Sequence, residues 1–221
     1  TATEILFGRG QAAHAAGRAA ALGRDVLLVH GRDAARSAWR PSYDAIKWSS
    51  DASLLAAWKN GMTGYPVVDA AMRQLAATGF MHNRARMIAA SFLTKDLLID
   101  WREGEAHFLR HLVDGDIAAN NGGWQWCAGS GTDAQPYFRI FNPVTQAGNF
   151  DSDGAYVRRW VPELAALSAP AIHAPWAHEK ALIAAGIELG RNYPRPIVDH
   201  AEARQRTLDA YSAALKPTAQ K

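Results

Sequence analysis

The sequence predicts a mainly α fold preceded by a short βαβ-like segment, and three observations carry that prediction. Capping residues and apolar positions recur at helical spacing from about Trp48 to near the C-terminus. Composition breaks near residue 38, because all eight tryptophans lie at Trp39 or later while the first 38 residues are rich in Ala, Gly and Arg. Those first residues also alternate two short apolar runs with one helical stretch. The expected organisation is a βαβ-like segment over 1–38, of uncertain role, and a helical domain over 39–221.

Taken in order, Glu4 to Gly8 (EILFG) reads as a short strand. Gln11 to Gly23 reads as a helix ended by its glycine, and Asp25 to Gly31 (DVLLVHG) as a buried parallel strand. Gly8-Arg9-Gly10 followed by Ala13 imitates a dinucleotide fingerprint, with Asp33 as a ribose-binding candidate. The rest of such a domain does not follow, so the favoured reading is an appendage without a working nucleotide site. From Trp48 onward, Asp51 or Ser53 caps a helix through Trp58. Pro66 opens a second helix that Gly79 terminates, with Val68, Met72 and Leu75 at helical spacing. A third helix is expected from about His82 to Leu98, bringing Asn83, Arg86, Met87 and Ala90 onto one polar face. Further helices are expected near 105–112, 155–166, 178–185 and 199–215, joined by loops bearing Pro136, Pro143, Pro170, Pro175, Pro194 and Pro196.

The bulk numbers bound the function classes. A chain of 221 residues, 48% apolar, can bury one sizeable core. A net charge of +3 permits a polyanionic partner without demanding one. The single cysteine, Cys127, excludes an internal disulfide framework and fits a reducing cytoplasm. No run approaches about 18 apolar residues and no basic-then-apolar leader opens the chain, so no membrane association is expected. The first residue is Thr1, which suggests a fragment or a processed product.

The chemistry concentrates in Asp114 to Trp126, DGDIAANNGGWQW, where carboxylates, amides, glycines and two indoles share thirteen residues. Carboxylates and amides hydrogen-bond the edge of a flat ligand, glycines let backbone approach it, and indoles add flat oxidisable surface. Other chemistries lack support. Asp114 and Asp116 have no third ligand at metal spacing nearby, and His107 with His111 and Glu103 reads as an exposed helix face rather than a zinc site. Around Ser130 the glycine that a nucleophile elbow requires is Ala128.

This segment, with Thr63 to Glu105 (TGYPVVDAAMRQLAATGFMHNRARMIAASFLTKDLLIDWREGE) and Gly131 to Pro143 (GTDAQPYFRIFNP), resembles the DNA photolyase/cryptochrome family, most closely the class I cyclobutane-dimer photolyases. The strings run in family order and continue through YVRRWVPEL and PIVDHAEARQRTL. The resemblance implies the C-terminal part of a helical FAD-binding domain, here truncated, whose repair members use blue light to split pyrimidine dimers in DNA. FAD is then the expected cofactor and dimer-containing DNA the expected partner.

The resemblance also assigns roles. Asn83, Arg86, Asp114, Asp116, Ala119 and Asn120 would hold FAD, with Arg86 paired to Asp114 and Asn120 facing the flavin N5. Trp124, Trp101 and Trp48 would carry electrons from the surface to the flavin. Asn83, Arg84, Met87 and Trp126 would meet the substrate, Trp126 stacking on the flipped dimer and Arg84 reaching a phosphate. Two alternatives stand beside this reading. One is a cryptochrome-type photoreceptor, against which Asn120 argues because plant and animal cryptochromes usually carry Asp or Cys there. The other is a dehydrogenase fragment, because residues 1–38 also resemble the start of iron-containing alcohol dehydrogenases in their FGxG turn and LLVxG strand. No match to the family's antenna domain or phosphate loop is visible, so no antenna chromophore is expected on this chain and FAD affinity should be impaired.

Overall fold

The computed structural model describes residues 41–131 and 134–215. The expected βαβ-like segment, with its nucleotide fingerprint, lies outside these. Within them the fold is helical, and its only sheet-like pairings are the isolated bridges Ser49 to Ile99 and Leu189 to Tyr193.

A short 3-10 helix, Pro41–Ala45, precedes α1 (Ala52–Lys59). Asp51 caps α1 by accepting from the backbone N–H of Ser53 and Leu54. α2 (Pro66–Thr78) starts on proline and stops at Gly79, whose φ of 68° is left-handed and whose N–H returns to Leu75. Its Val68, Met72 and Leu75 are all buried. At its start, buried Asp69 accepts from the N–H and hydroxyl of Thr63, from Gly64 N–H and from the Tyr193 hydroxyl, which ties the turn before α2 to a stretch 124 residues away.

The expected third helix is two elements. α3 (Asn83–Ser91) runs directly into a π-helical turn, Phe92–Asp96. Leu97 N–H reaches back to Phe92, and the Thr94 hydroxyl donates to Ala90, so the turn widens where Lys95 and Asp96 become fully buried. Leu98 then takes a positive φ of 52°, unusual for a bulky residue, and is held there as its carbonyl accepts from Ser49 N–H at 2.7 Å.

α4 (Trp101–His111), capped by Asp100, packs along α5 (Ile117–Ala128), capped by Asp116. The remaining helices are α6 (Pro143–Phe150), α7 (Ala155–Trp160), α8 (Ala169–His173), α9 (Glu179–Ala184) and α10 (His200–Leu215). The expected helix over 155–166 ends at Trp160, because Val161 adopts φ −129° ahead of Pro162, which opens a 3-10 turn. The main core lies among α1 to α5. A second cluster forms around α7 and α8, and a third joins Tyr43, Ile46 and Leu98 to Tyr211 of α10.

Candidate flavin-facing cleft

α5 was not among the expected helices, and its formation explains the site. Its side chains three and four apart share a face, so Asp116, Asn120 and Trp124 align, and Ala119, Gly123 and Cys127 run beside them. That face opposes Asn83, Arg86, Met87 and Ala90 of α3. Between them is a cleft of about 190 Å³, lined also by Phe108 of α4 and by Leu112, Asp114 and Gly115 in the turn that follows it. All six residues expected to hold a cofactor line it, together with Met87 and Trp124. Phe108, Leu112, Gly123 and Cys127 were missed; only knowledge of the α4–α5 packing identifies them.

The Arg86 guanidinium is fixed at both ends. Its Nε donates to the Met81 carbonyl at 2.6 Å, and its Nη2 donates to both oxygens of Asp114 at 2.9 and 2.8 Å. Both side chains are partly exposed, so the pair adds little stability. Its consequence is positional, a guanidinium held in the cleft lining beside its carboxylate. Asp116 is committed to capping α5 through Ala119 N–H at 2.8 Å. Asn120 Nδ2 donates to the Glu105 carbonyl at 3.0 Å; because a carbonyl only accepts, the amide orientation is fixed.

Four sequence-derived candidates lie elsewhere. Trp126 is two residues from Trp124, which on a helix is about 200° round the axis. It is partly buried against the main core, so its divergence from Trp124 comes from helical rather than extended backbone. The Arg84 guanidinium lies over the exposed Phe150 ring, 4.2 Å from its centroid. Trp101 is 1% exposed and Trp48 half-buried. Trp124 packs against Gly104, one turn from Trp101, and the bridge between Ser49 and Ile99 brings Trp48 beside the start of α4. Trp124 also meets Phe108 at 4.9 Å and Trp58 at 6.1 Å between ring centroids.

The expected exposed face at His107 and His111 needs correction. His107 is buried against Trp58, at 5.6 Å between rings, and burial pushes its pKa down to about 4, with His111 and nearby cations adding to the effect. Only His111 and Glu103 face solvent. Among the described residues no three His, Cys, Asp or Glu side chains gather to hold a metal, and no helix is long and apolar enough to cross a membrane. Burial pushes the Cys127 thiol up to about 12, so it is not a thiolate at neutral pH.

Residues 24–213 match the family model described as the FAD binding domain of DNA photolyase. The deoxyribodipyrimidine photo-lyase of Escherichia coli K12 is 60% identical over 78% of this chain and 36% of its own. That of Agrobacterium fabrum is 56% identical over 87% and 40%. Among solved structures, a class III photolyase from Agrobacterium tumefaciens superposes with a TM-score of 0.80 at 57% identity, covering 81% of this chain and 38% of the other. A Synechocystis cryptochrome gives 0.71 at 42% identity, covering 75% and 34%. The chain thus spans between 30% and 40% of the length of the curated relatives it matches.

Proposed function

This chain belongs to the family of FAD-binding domains of DNA photolyases, and from that premise we propose that it supplies the flavin-facing wall for light-driven repair of cyclobutane pyrimidine dimers in DNA. The observation that carries this reading is the convergence of the Arg86–Asp114 pair, Asn120 and Trp124 on one cleft. The donor set suits a flat ring system with a polar edge. A paired guanidinium and a fixed amide line it, and Gly123 has open space around it so that a ring can approach backbone. The cleft's volume of about 190 Å³ lies below the ~300 Å³ at which ligand pockets usually begin, which suits the ring system and leaves the rest of FAD outside.

Reduced FAD, when bound, supplies the electron that splits the dimer. Arg86, held by Asp114 and Met81, places positive charge against an anionic ring edge. With FAD bound, Asn120 would present an amide to the flavin's N5 edge, and because an amide is no ready proton donor it would favour an anionic over a neutral flavin there. Trp124, Trp101 and Trp48 form the electron path outward, from buried indole to half-exposed indole. Asn83 and Met87 border the cleft where a flipped dimer would meet it. Trp126 gives the dimer an aromatic wall, and Arg84 reaches a phosphate. The setting is the cytoplasm, in keeping with one reduced cysteine, and residues 1–38 remain an appendage.

The test is an absorption spectrum of the purified chain after incubation with FAD, followed by illumination with a dimer-containing oligonucleotide under reducing conditions. Flavin bound in wild type and lost in Arg86→Ala supports the site. Equal flavin retention in both places the cofactor elsewhere.

A further inference from the structure

Arg84 is the second residue of α3, directly after Asn83 and one turn before Met87, both of which line the cleft. Among the described residues its guanidinium meets no carboxylate and donates no hydrogen bond to protein. It rests instead on the face of the Phe150 ring, 4.2 Å from the centroid. Arg86, two residues on, shows the contrasting arrangement. It stands 6.0 Å from the Phe80 ring centroid, but its N–H groups are taken by Asp114 and the Met81 carbonyl.

Phe150 ends α6 and is 57% exposed, outside all three apolar clusters. Its backbone is nonetheless held, because Ala147 one turn earlier is buried in the main core and Asn142 caps the start of the helix through Thr145 N–H. α6 carries no charged side chain. The acids that follow it are engaged elsewhere, Asp151 with the N–H groups of Tyr156 and Val157 and Asp153 with that of Ala155. No acid of α6 or of the turn after it therefore competes for Arg84.

We propose that Phe150 is a positioning residue for DNA, whose ring holds the Arg84 guanidinium by its face and leaves the N–H edge free to meet a backbone phosphate beside the cleft. This rests on the reading of Arg84 as a phosphate contact. A ring attracts the face of a guanidinium without using the donors in its plane, so stacking and phosphate binding do not compete. The gain is entropic. An unsupported arginine loses rotamer freedom when a phosphate fixes it, and one already held on a ring has less to lose. Because the ring itself meets no phosphate, it raises affinity without changing the number of counterions released.

The experiment titrates the full chain, without flavin, into a fluorescein-labelled undamaged oligonucleotide at several salt concentrations. Phe150→Leu should raise Kd about two- to tenfold, the cost of ordering one long side chain, with the salt slope unchanged. Arg84→Gln should weaken binding and lower the slope by about one. Phe150→Tyr keeps the aromatic face and should restore wild-type affinity. In the Arg84→Gln background Phe150→Leu should add nothing. Wild-type affinity in Phe150→Leu, an equal loss in Phe150→Tyr, or a fully additive loss in the double variant, which would mean that the ring touches DNA itself, would each overturn the proposal. A second readout needs no DNA. The Arg84 Nε–H resonance should carry a ring-current shift in wild type and Phe150→Tyr that Phe150→Leu removes, and a shift that survives Phe150→Leu also overturns the proposal. If Arg84→Gln leaves affinity and slope unchanged, the phosphate reading of Arg84 fails and the proposal falls with it. If Arg84→Gln weakens binding while Phe150→Leu does not, only the role of Phe150 fails.

Discussion

Trp124 owes its position to the absence of a side chain opposite it. A Cβ on Gly104 would fall 2.0 Å from Trp124 Cη2 and 2.6 Å from Leu93 Cδ2. In an open helix, Gly→Ala gains up to about 1 kcal/mol. Here overpacking costs about 1 to 3 kcal/mol, so Gly104→Ala should destabilise, lowering the urea midpoint and shifting tryptophan emission. An unchanged midpoint and emission would mean that the ring moves aside freely. In chain reconstituted with FAD, Trp124→Phe should slow light-driven flavin reduction far more than Trp160→Phe, since Trp160 packs in the second cluster away from the cleft. Equal slowing would remove Trp124 from the path. At this scale the cleft was legible because the motif's residue types suit a flat polar ligand and the family resemblance assigns them. Gly104, Trp58 and Tyr211 were not legible, since their parts depend on contacts between residues far apart in the chain.

Elements marked by strong local punctuation were the legible ones. Asp51, Pro66 and Gly79 bound α1 and α2 as their capping chemistry requires. α5 was illegible because Asn120, Asn121, Gly122 and Gly123 are poor helix formers, and its helix is upheld by the Asp116 cap and by packing on α4. The π-turn was illegible for a similar reason, because the burial that widens it comes from α10. There Asp96 meets His200 Nδ1 at 2.5 Å, and the Thr207 hydroxyl bonds the Lys95 carbonyl. Burial raises the Asp96 pKa to about 6, above its unfolded value, despite the His200 hydrogen bond. Between about pH 4 and 6 the folded state therefore binds the extra proton, and stability should fall as pH rises, by at most about 1.4 kcal/mol per unit. Lys95 has the opposite sign. Its folded pKa is depressed to about 7, so between that pH and about 10 the unfolded state binds the extra proton and stability should rise with pH. Urea midpoints across pH should show the first slope vanish in Asp96→Asn and the second in Lys95→Met. Slopes that persist in these variants would assign them to other groups.

For the whole molecule, the proposed flavin-facing wall sets what binding to expect. The cleft holds about 190 Å³, and apolar side chains next in sequence to or near its lining residues stand exposed, Phe80 at 46%, Val113 at 79% and Ile117 at 56%. Purified chain should therefore take up FAD weakly and below one equivalent, and tight stoichiometric flavin would show that the matched portion is sufficient. Lesion recognition follows the same logic. Stacking on an aromatic wall is worth about 1 to 3 kcal/mol per base, so a dimer stacked against Trp126 alone should bind about ten- to a hundredfold more weakly than one held on both sides. What remains should come from phosphate contacts by residues such as Arg84, which carry no lesion preference and weaken steeply with salt. Competition between dimer-containing and undamaged oligonucleotides at two salt concentrations separates the two terms. A small preference that persists as total affinity falls with salt is the expected outcome. A strong preference with dimer splitting in the light would mean that Trp126, Met87 and Asn83 suffice to hold a flipped lesion.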